Sequence, residues 1–334
     1  MKPIPTFEPV THSRRALLLA LATAALAPSS AYAQAFPTRP VRVITSFAAG
    51  SGPDAMLRFL GERLARLWGQ SVVIDNRPGG GGFIAVAEAR KAAPDGHTLL
   101  HIDGLNFTAA PHLYKSLPYD PVNDFRPITP LHAGFFFITV SATSPWRTVG
   151  ELLAAARANP GQVTYGSWQV GSIAHLGAVT LEAASGTRMN HIPFKETSQL
   201  YAAVASGEVG WAFGSPASAG ALQRAGRLRF LALAAPQRSA TYPDVPTVAE
   251  SGGPAGFETT SWVGLFGLPG VPAATLSRIS QDIARLMTEP EVRARMVDFG
   301  YVSQALTPEQ TVARIEQERT RYAQTVRDAN VRLD

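Results

Sequence analysis

The 334-residue chain contains no cysteine. That excludes a disulfide framework, thiolate zinc sites, iron–sulfur clusters and thiol nucleophiles. Charge is sparse: Asp, Glu, Lys and Arg together make up 16% of the residues, 30 basic against 25 acidic. The arginines are scattered, without a basic run or an interleaved aromatic platform, so no footprint for nucleic acid is present. Long apolar runs are lacking too. Residues 16–27 (ALLLALATAALA) form an apolar run of 12 with no second of that length after it, well short of the roughly 20 that a spanning helix needs. Catalytic signatures are equally scarce. There is no G-x-S-x-G elbow and no Walker loop. His97 and His101 have zincin spacing without the Glu, and strand geometry sets them about 13 Å apart, too far for one metal. Scattered Asp and Glu offer no convincing acid–base pair, so no catalytic residue, metal or cofactor is expected. What remains is 46% hydrophobic, which is incompatible with wholesale disorder, and the length suits two domains of ordinary size.

The N-terminus reads as an address. Ser13-Arg14-Arg15 precedes the 12-residue run, and Ala31-Tyr32-Ala33 follows a Pro28-Ser29-Ser30 break. This is a basic region, a short hydrophobic region and a small-x-small cleavage site. Residues 1–33 are expected to be a signal peptide cleaved after Ala33, which places the mature chain in the periplasm. Ser-Arg-Arg-Ala-Leu-Leu also has the form of a twin-arginine signal; a general secretory signal is the alternative. Losing Lys2, Glu8, Arg14 and Arg15 takes the formal net charge from +5 to +3. A mildly positive surface suits an anionic small ligand, although ordinary surface charge is the better account of it on composition alone.

Along the mature chain, strand and helix patterns alternate. Val41–Phe47, Ser71–Ile74 and His97–Ile102 read as strands, with helices from Pro53 to about Trp68 and over Phe83–Ala92. The first helix should bury Met56, Phe59, Leu60, Leu64 and Leu67. Further on, Phe135–Val140, Gln162–Gly166, Met189–Pro193, Val209–Phe213, Leu228–Ala234 and Ser261–Gly267 read as strands. Helices are expected from Thr148 to Ala158, over Ser172–Ser185, Ser198–Ser206 and Pro216–Ala225, and from Pro272 and Thr307-Pro308. Thr148 with Glu151, and Thr307 with Gln310, form capping boxes. Strands spaced by such helices predict an α/β fold of two lobes, each a mostly parallel sheet flanked by helices. Residues 34–137 with 259–334 should make the first lobe and 138–258 the second.

Two loops carry the candidate chemistry. Phe47-Ala48-Ala49-Gly50-Ser51-Gly52-Pro53-Asp54 joins a strand end to a helix start. Free N–H groups there, about half a positive charge from the helix, and glycines permitting close approach suit a carboxylate. A strand–helix turn without a ligand is the alternative. Gly166-Ser167-Trp168-Gln169-Val170-Gly171-Ser172 repeats the grammar in the second lobe, with hydroxyls at Ser167 and Ser172 and Trp168 as a pocket wall. His175, one turn into that helix, reads as structural. Gly50-x-Gly52-x-x-Ala55 with Asp75 about 25 residues after Gly50 also fits a dinucleotide fingerprint, which points to an exported NAD or flavin enzyme. Pro53 stiffens the turn that must wrap a pyrophosphate, and Asp75 runs into Asn76-Arg77-Pro78, so the fingerprint is poorly set.

At these loops the sequence resembles the Bug (Bordetella uptake gene) receptors of tripartite tricarboxylate transporters. The resemblance runs over essentially the whole mature chain. It is carried by Phe36-Pro37-Thr38-Arg39-Pro40-Val41-Arg42, Phe47-Ala48-x-Gly50-x-Gly52-x-Asp54 and Asn76-Arg77-Pro78-Gly79. Ala93-Pro94-Asp95-Gly96, Leu117-Pro118-Tyr119-Asp120-Pro121, Pro193-Phe194-Lys195 and Pro243-Asp244-Val245-Pro246-Thr247 continue it in order. It implies a periplasmic "Venus flytrap", type II-like, that binds a small carboxylate between its lobes without catalysis. It also implies membrane transporter subunits as partners; a sensor kinase is the alternative, and a monomer is expected. The resemblance assigns the ligand to the first strand–helix loop, with the second-lobe loop opposite. The chain departs from the family pattern at Ala49 and Ser51, where Pro and Gly are usual, at Phe83 after the glycine run, at Trp168, and at Gly214 in place of an Asp. Two added rings and one lost acid predict a pocket for an aromatic or apolar-bodied carboxylate, with Trp262 as a third wall. Padding of the lobe core is the alternative role for Phe83.

Overall fold

The computed structural model describes residues 36–329 together with Arg332 and Leu333; the leader over residues 1–33 and its cut after Ala33 lie outside the described residues. Among the described residues no helix is long and apolar enough to cross a membrane. The chain begins with β1 (Val41–Thr45), α1 (Gly52–Trp68), β2 (Val72–Asn76), α2 (Phe83–Ala89) and β3 (Thr98–Asp103), with β2 and β3 parallel to β1 on either side. Short helices α3 (Leu105–Thr108) and α4 (Ala110–Leu113) lead into β4 (Arg126–Phe135). One residue later β5 (Phe137–Ser141) starts a second sheet, followed by α5 (Val149–Ala158), β6 (Thr164–Ser167), α6 (Ile173–Ser185) and β7 (Asn190–Pro193). That sheet is completed through α7 (Thr197–Ser206), β8 (Trp211–Gly214), α8 (Pro216–Arg224) and β9 (Leu228–Leu233). The chain then returns to the first sheet as β10 (Thr260–Gly267) and ends with α9 (Ala273–Leu286), α10 (Pro290–Phe299), β11 (Tyr301–Ser303) and α11 (Pro308–Ala329).

The first sheet has the order β11-β4-β10-β3-β1-β2 and the second β7-β6-β8-β5-β9. This is the expected two-lobed α/β architecture, with one refinement: both sheets are mixed. β10 runs antiparallel to β3 and β4, and β5 antiparallel to β8 and β9. Both strands enter their sheet from the other one and so lack the local βαβ crossover that enforces parallel pairing.

Local chemistry explains the elements. Ser51 is extended at the α1 N-cap, Pro53 and Asp54 occupy its first turn, and Gly69 closes it in a left-handed conformation. Met56, Leu57, Leu60 and Leu64 are buried beneath it, each contributing about 1.5–3 kcal/mol. The buried face differs from the predicted one: Leu67 is 38% exposed, and Phe59 lies under the Arg63 guanidinium, 3.7 Å from the ring centroid. Thr148 accepts from the Glu151 N–H at 3.1 Å, and Thr307 and Gln310 cap each other reciprocally.

β4 was not anticipated, because Pro127 and Pro130 argue against a strand. Its pairing with β10 shifts register between Val263 and Gly264 and between Leu265 and Phe266, where the partners become Pro130 and Pro127. A residue without an N–H cannot continue the ladder, so the strand bulges at each proline and carries on.

The two crossings between sheets run side by side. The Phe136 N–H donates to Thr259 O (3.3 Å), Ala234 N–H to Phe136 O (2.8 Å) and Thr259 N–H to Ala234 O (2.9 Å). Above the second sheet, Trp211, Phe213, Ile138 and Leu181 form the heart of one core.

Leu60→Ala is expected to cost about 2–5 kcal/mol, because the methylenes leave a cavity that the packed α1 interface cannot fill. Equilibrium urea unfolding measures this; a loss under 1 kcal/mol contradicts the assigned packing.

Candidate functional site

The β1–α1 loop is shaped from behind. Asp54 is 1% exposed. Its carboxylate accepts from the Gly50 N–H (2.8 Å), Asn76 Nδ2 (2.7 Å) and Arg58 Nε (3.0 Å). Asn76 also donates to Phe47 O at 3.0 Å. Burial alone pushes the Asp54 carboxyl up, but the bonds from Arg58, Asn76 and Gly50 outweigh it and hold the group below the ordinary carboxylate range. Asp54 therefore organises the loop from behind and, although expected at the ligand, is not part of the cavity wall.

Ser51 stands at the opposite edge. It makes no side-chain cap bond, and its buried Oγ has no hydrogen-bond partner. Gly52 turns elsewhere. A Cβ there would lie 2.5 Å from Tyr301 Oη and 2.9 Å from Ala217 Cβ, so this glycine lets α1 meet β11 and the start of α8. Ala49 and Gly50 are exposed and lie outside the cavity wall.

The β6–α6 loop is held by histidines. Ser167 is fully buried; its Oγ donates to Gln169 O at 2.8 Å and bonds His191 Nε2 at 2.7 Å. It fixes the loop and does not line the cavity, which corrects its predicted ligand role. Ser172 caps α6, accepting from the His175 N–H (3.4 Å) while its Oγ donates to Gln169 O (2.7 Å). The Gly171 N–H donates to His175 Nδ1 at 3.0 Å. Burial, reinforced by His191 stacked at 4.1 Å, pushes the His175 imidazole down to about 4. A neutral imidazole is what that acceptor bond requires, so His175 is structural as expected.

Between the loops lies a cavity of about 240 Å³. Phe47, Ala48 and Ser51 line it from the first loop, and Trp168, Gly171 and Ser172 from the second. Phe83 joins them and also packs edge-on against Tyr114 (5.2 Å) and Tyr119 (5.7 Å), so it serves wall and core together. Trp168 leans on Phe136 at 5.5 Å. The starts of α1 and α6, each worth about half a positive charge, both open onto this space.

Trp262 is not a third wall. It is 3% exposed, donates Nε1 to Glu318 at 2.8 Å and lies under Arg314 at 4.9 Å. A Cβ at Gly104 would fall 2.2 Å from its ring. α11 covers this tryptophan, which belongs to the lobe core. Gly214 has no room for a side chain, since a Cβ there would meet Thr139 Oγ1 at 2.8 Å and Ala219 Cβ at 3.0 Å.

Sequence reasoning missed Asp103, Asn106, Tyr114, Gln169, Lys195 and Thr197, all of which line the cavity. Asp103 ends β3 and Lys195 follows β7, so position beyond a strand's C-terminal end was the available signal. Among the described residues, Asp103 and Lys195 are the charged side chains of the wall. Burial pushes Asp103 up to about 6 against hydrogen bonds from Ser261 Oγ (2.6 Å) and the Leu105 N–H (2.9 Å), with Glu318 adding to the rise. The dinucleotide reading loses its acid: Asp75 accepts from Arg42 Nε at 3.0 Å and Arg77 Nε at 2.9 Å. Among the described residues no His, Asp or Glu cluster could hold a metal ion.

His175 titrates near 6.5 when unfolded and near 4 when folded. Between those values the unfolded chain binds a proton that the folded chain excludes, so stability rises with pH across this window, by up to about 1.4 kcal/mol per unit, and is lost as the pH is lowered. His175→Gln retains an acceptor for Gly171 but cannot ionise. Its stability, from urea unfolding between pH 4.5 and 7.5, is expected to fall less steeply than the native chain's by one proton's slope. Parallel curves contradict the assignment.

Comparison with known proteins identifies relatives along the whole chain. The family model described as tripartite tricarboxylate transporter family receptor matches residues 56–331. A UPF0065 protein of Bordetella bronchiseptica is 30% identical over 99% of each chain. Protein BugT of Bordetella pertussis is 29% identical over 94% of this chain and 96% of its own. Among solved structures, Rpa4515 of R. palustris with adipate superposes with a TM-score of 0.84 at 26% identity, over 89% of this chain and 99% of that one. MatC of Rhodopseudomonas palustris with bound malate gives 0.79 at 27%, over 87% and 100%.

Proposed function

Because the chain belongs to the tripartite tricarboxylate transporter receptor family, as a periplasmic solute-binding receptor for a small carboxylate, we propose that its cleft selects an acid with an apolar body. The observation that carries this reading is the pairing of two helix starts with an aromatic wall. Ser51, whose Oγ lacks a partner, and Ser172 stand at those starts. Phe83, Tyr114 and Trp168 line the space beside them. A carboxylate satisfies the free N–H groups, directly or through ordered water, and the rings receive the hydrocarbon. Relatives solved with adipate and malate support a dicarboxylate or a monocarboxylate of similar length.

Residues 34–137 with 259–334 act as one lobe and 138–258 as the other, closing about the paired crossings at Phe136 and Thr259. The leader over residues 1–33, cut after Ala33, delivers the chain to the periplasm. There the monomer passes its ligand unchanged to the membrane subunits of a transporter.

Titration calorimetry with adipate, 3-phenylpropionate, malate and citrate tests the reading. Adipate and 3-phenylpropionate are expected to bind one to one. Ser51→Ala should weaken binding about tenfold or more, the loss expected for a hydrogen bond to a charged group; the Ser172 hydroxyl, whose proton is given to Gln169 O, holds its loop instead. Tight citrate or malate binding without either apolar-bodied acid overturns the selectivity. Unchanged affinity in Ser51→Ala overturns the helix-start site.

A further inference from the structure

Gln169 sits where a glycine belongs. Its φ is +151°, and among the described residues it is the non-glycine residue with positive φ. Side chains rarely adopt that conformation, whereas glycine does so freely. The strain is locked in by the loop. The Gln169 carbonyl accepts from Ser167 Oγ (2.8 Å), Ser172 Oγ (2.7 Å) and the Ser172 N–H (3.3 Å), and Ser167 is itself tied to His191.

The side chain reaches toward the first lobe. A Cβ built on Gly81, in the glycine run of the first lobe, would lie 3.4 Å from Gln169 Nε2 and 3.6 Å from Tyr114 Oη. Gln169 also lines the cavity. Glycine would remove the strain at this position but would also remove the side chain that approaches Gly81. A residue that destabilises its own loop and reaches the opposite lobe is explained by what that reach does.

We propose that Gln169 is the closure latch of the receptor. Its amide, presented by the strained second-lobe loop, holds that loop against Gly81 of the first lobe and thereby closes the mouth over the cavity. Gln169 is a positioning residue, acting on the lobes and not on the ligand's chemistry. The inference rests on the cleft being the ligand site, but its test needs no ligand.

The absence of cysteine allows clean spin labelling at Arg66→Cys and Glu208→Cys, two exposed positions, one beside each sheet. Pulsed-EPR distances and thermal midpoints are then measured on the unliganded chain and on its Gln169→Gly and Gln169→Ala variants. Both variants are expected to shift the distance distribution toward the open form. Only Gln169→Gly should raise the unfolding midpoint, by about 2 °C or more. A purely structural glutamine would move stability and closure in the same direction. An unchanged distribution in both variants overturns the latch, and so does a Gln169→Gly midpoint at or below native. Failure of the ligand reading registers separately, in calorimetry.

Discussion

The starts of α1 and α6 opening onto one cavity are the feature on which the proposed binding of an acid depends. The first turn of any helix has donors without intrahelical acceptors, and two such turns opening onto one cavity need an acceptor with charge to spare. The surrounding chemistry keeps those donors presented. Asp54 draws the first loop backwards through Gly50 and Asn76, and His175 with His191 draws back the second. The groups that shape each loop are buried behind it, and those left facing the cavity include the Ser51 and Ser172 hydroxyls, the rings of Phe47 and Trp168, and Gln169. Neutralisation by helix ends spares the site a fixed guanidinium, while Asp103 and Lys195 add one charge of each sign to the wall.

Much of this was legible in the chain, and the parts that were not failed for physical reasons. Caps were legible because they are local: Thr148 with Glu151, Thr307 with Gln310 and Ser172 ahead of α6 all behave as their spacing dictates. The two loops were legible because strand, glycine, serine and helix occur in sequence. Strand direction was not, since nothing in the composition of Thr260–Gly267 records that it arrives from another sheet. β4 was hidden by Pro127 and Pro130, which the sheet accommodates by bulging. Side-chain aim was the weakest inference. Asp54, Ser167 and Gly52 all lie in the right loops but face away from the cavity, and Trp262 lies under α11. A run of residues fixes where a loop is; only tertiary packing decides which of its atoms reach the ligand.

Phe83 illustrates the limits of separating wall from core. Its ring touches Tyr114 and Tyr119 while one side borders the cavity. A ring supported on two edges is a rigid boundary, and rigid boundaries discriminate between bodies of different width better than flexible chains do. The apolar side of the cleft is thus continuous with the packing that stabilises the first lobe, so alterations to one carry through to the other.

The paired crossings have a mechanical corollary. Phe136, Ala234 and Thr259 exchange backbone bonds with one another, so the bridge between the lobes is a short ribbon and not two independent threads. A ribbon resists shearing and stretching far more than it resists torsion about its length. Rotation about this ribbon is the relative displacement of the two sheets that the bridge resists least.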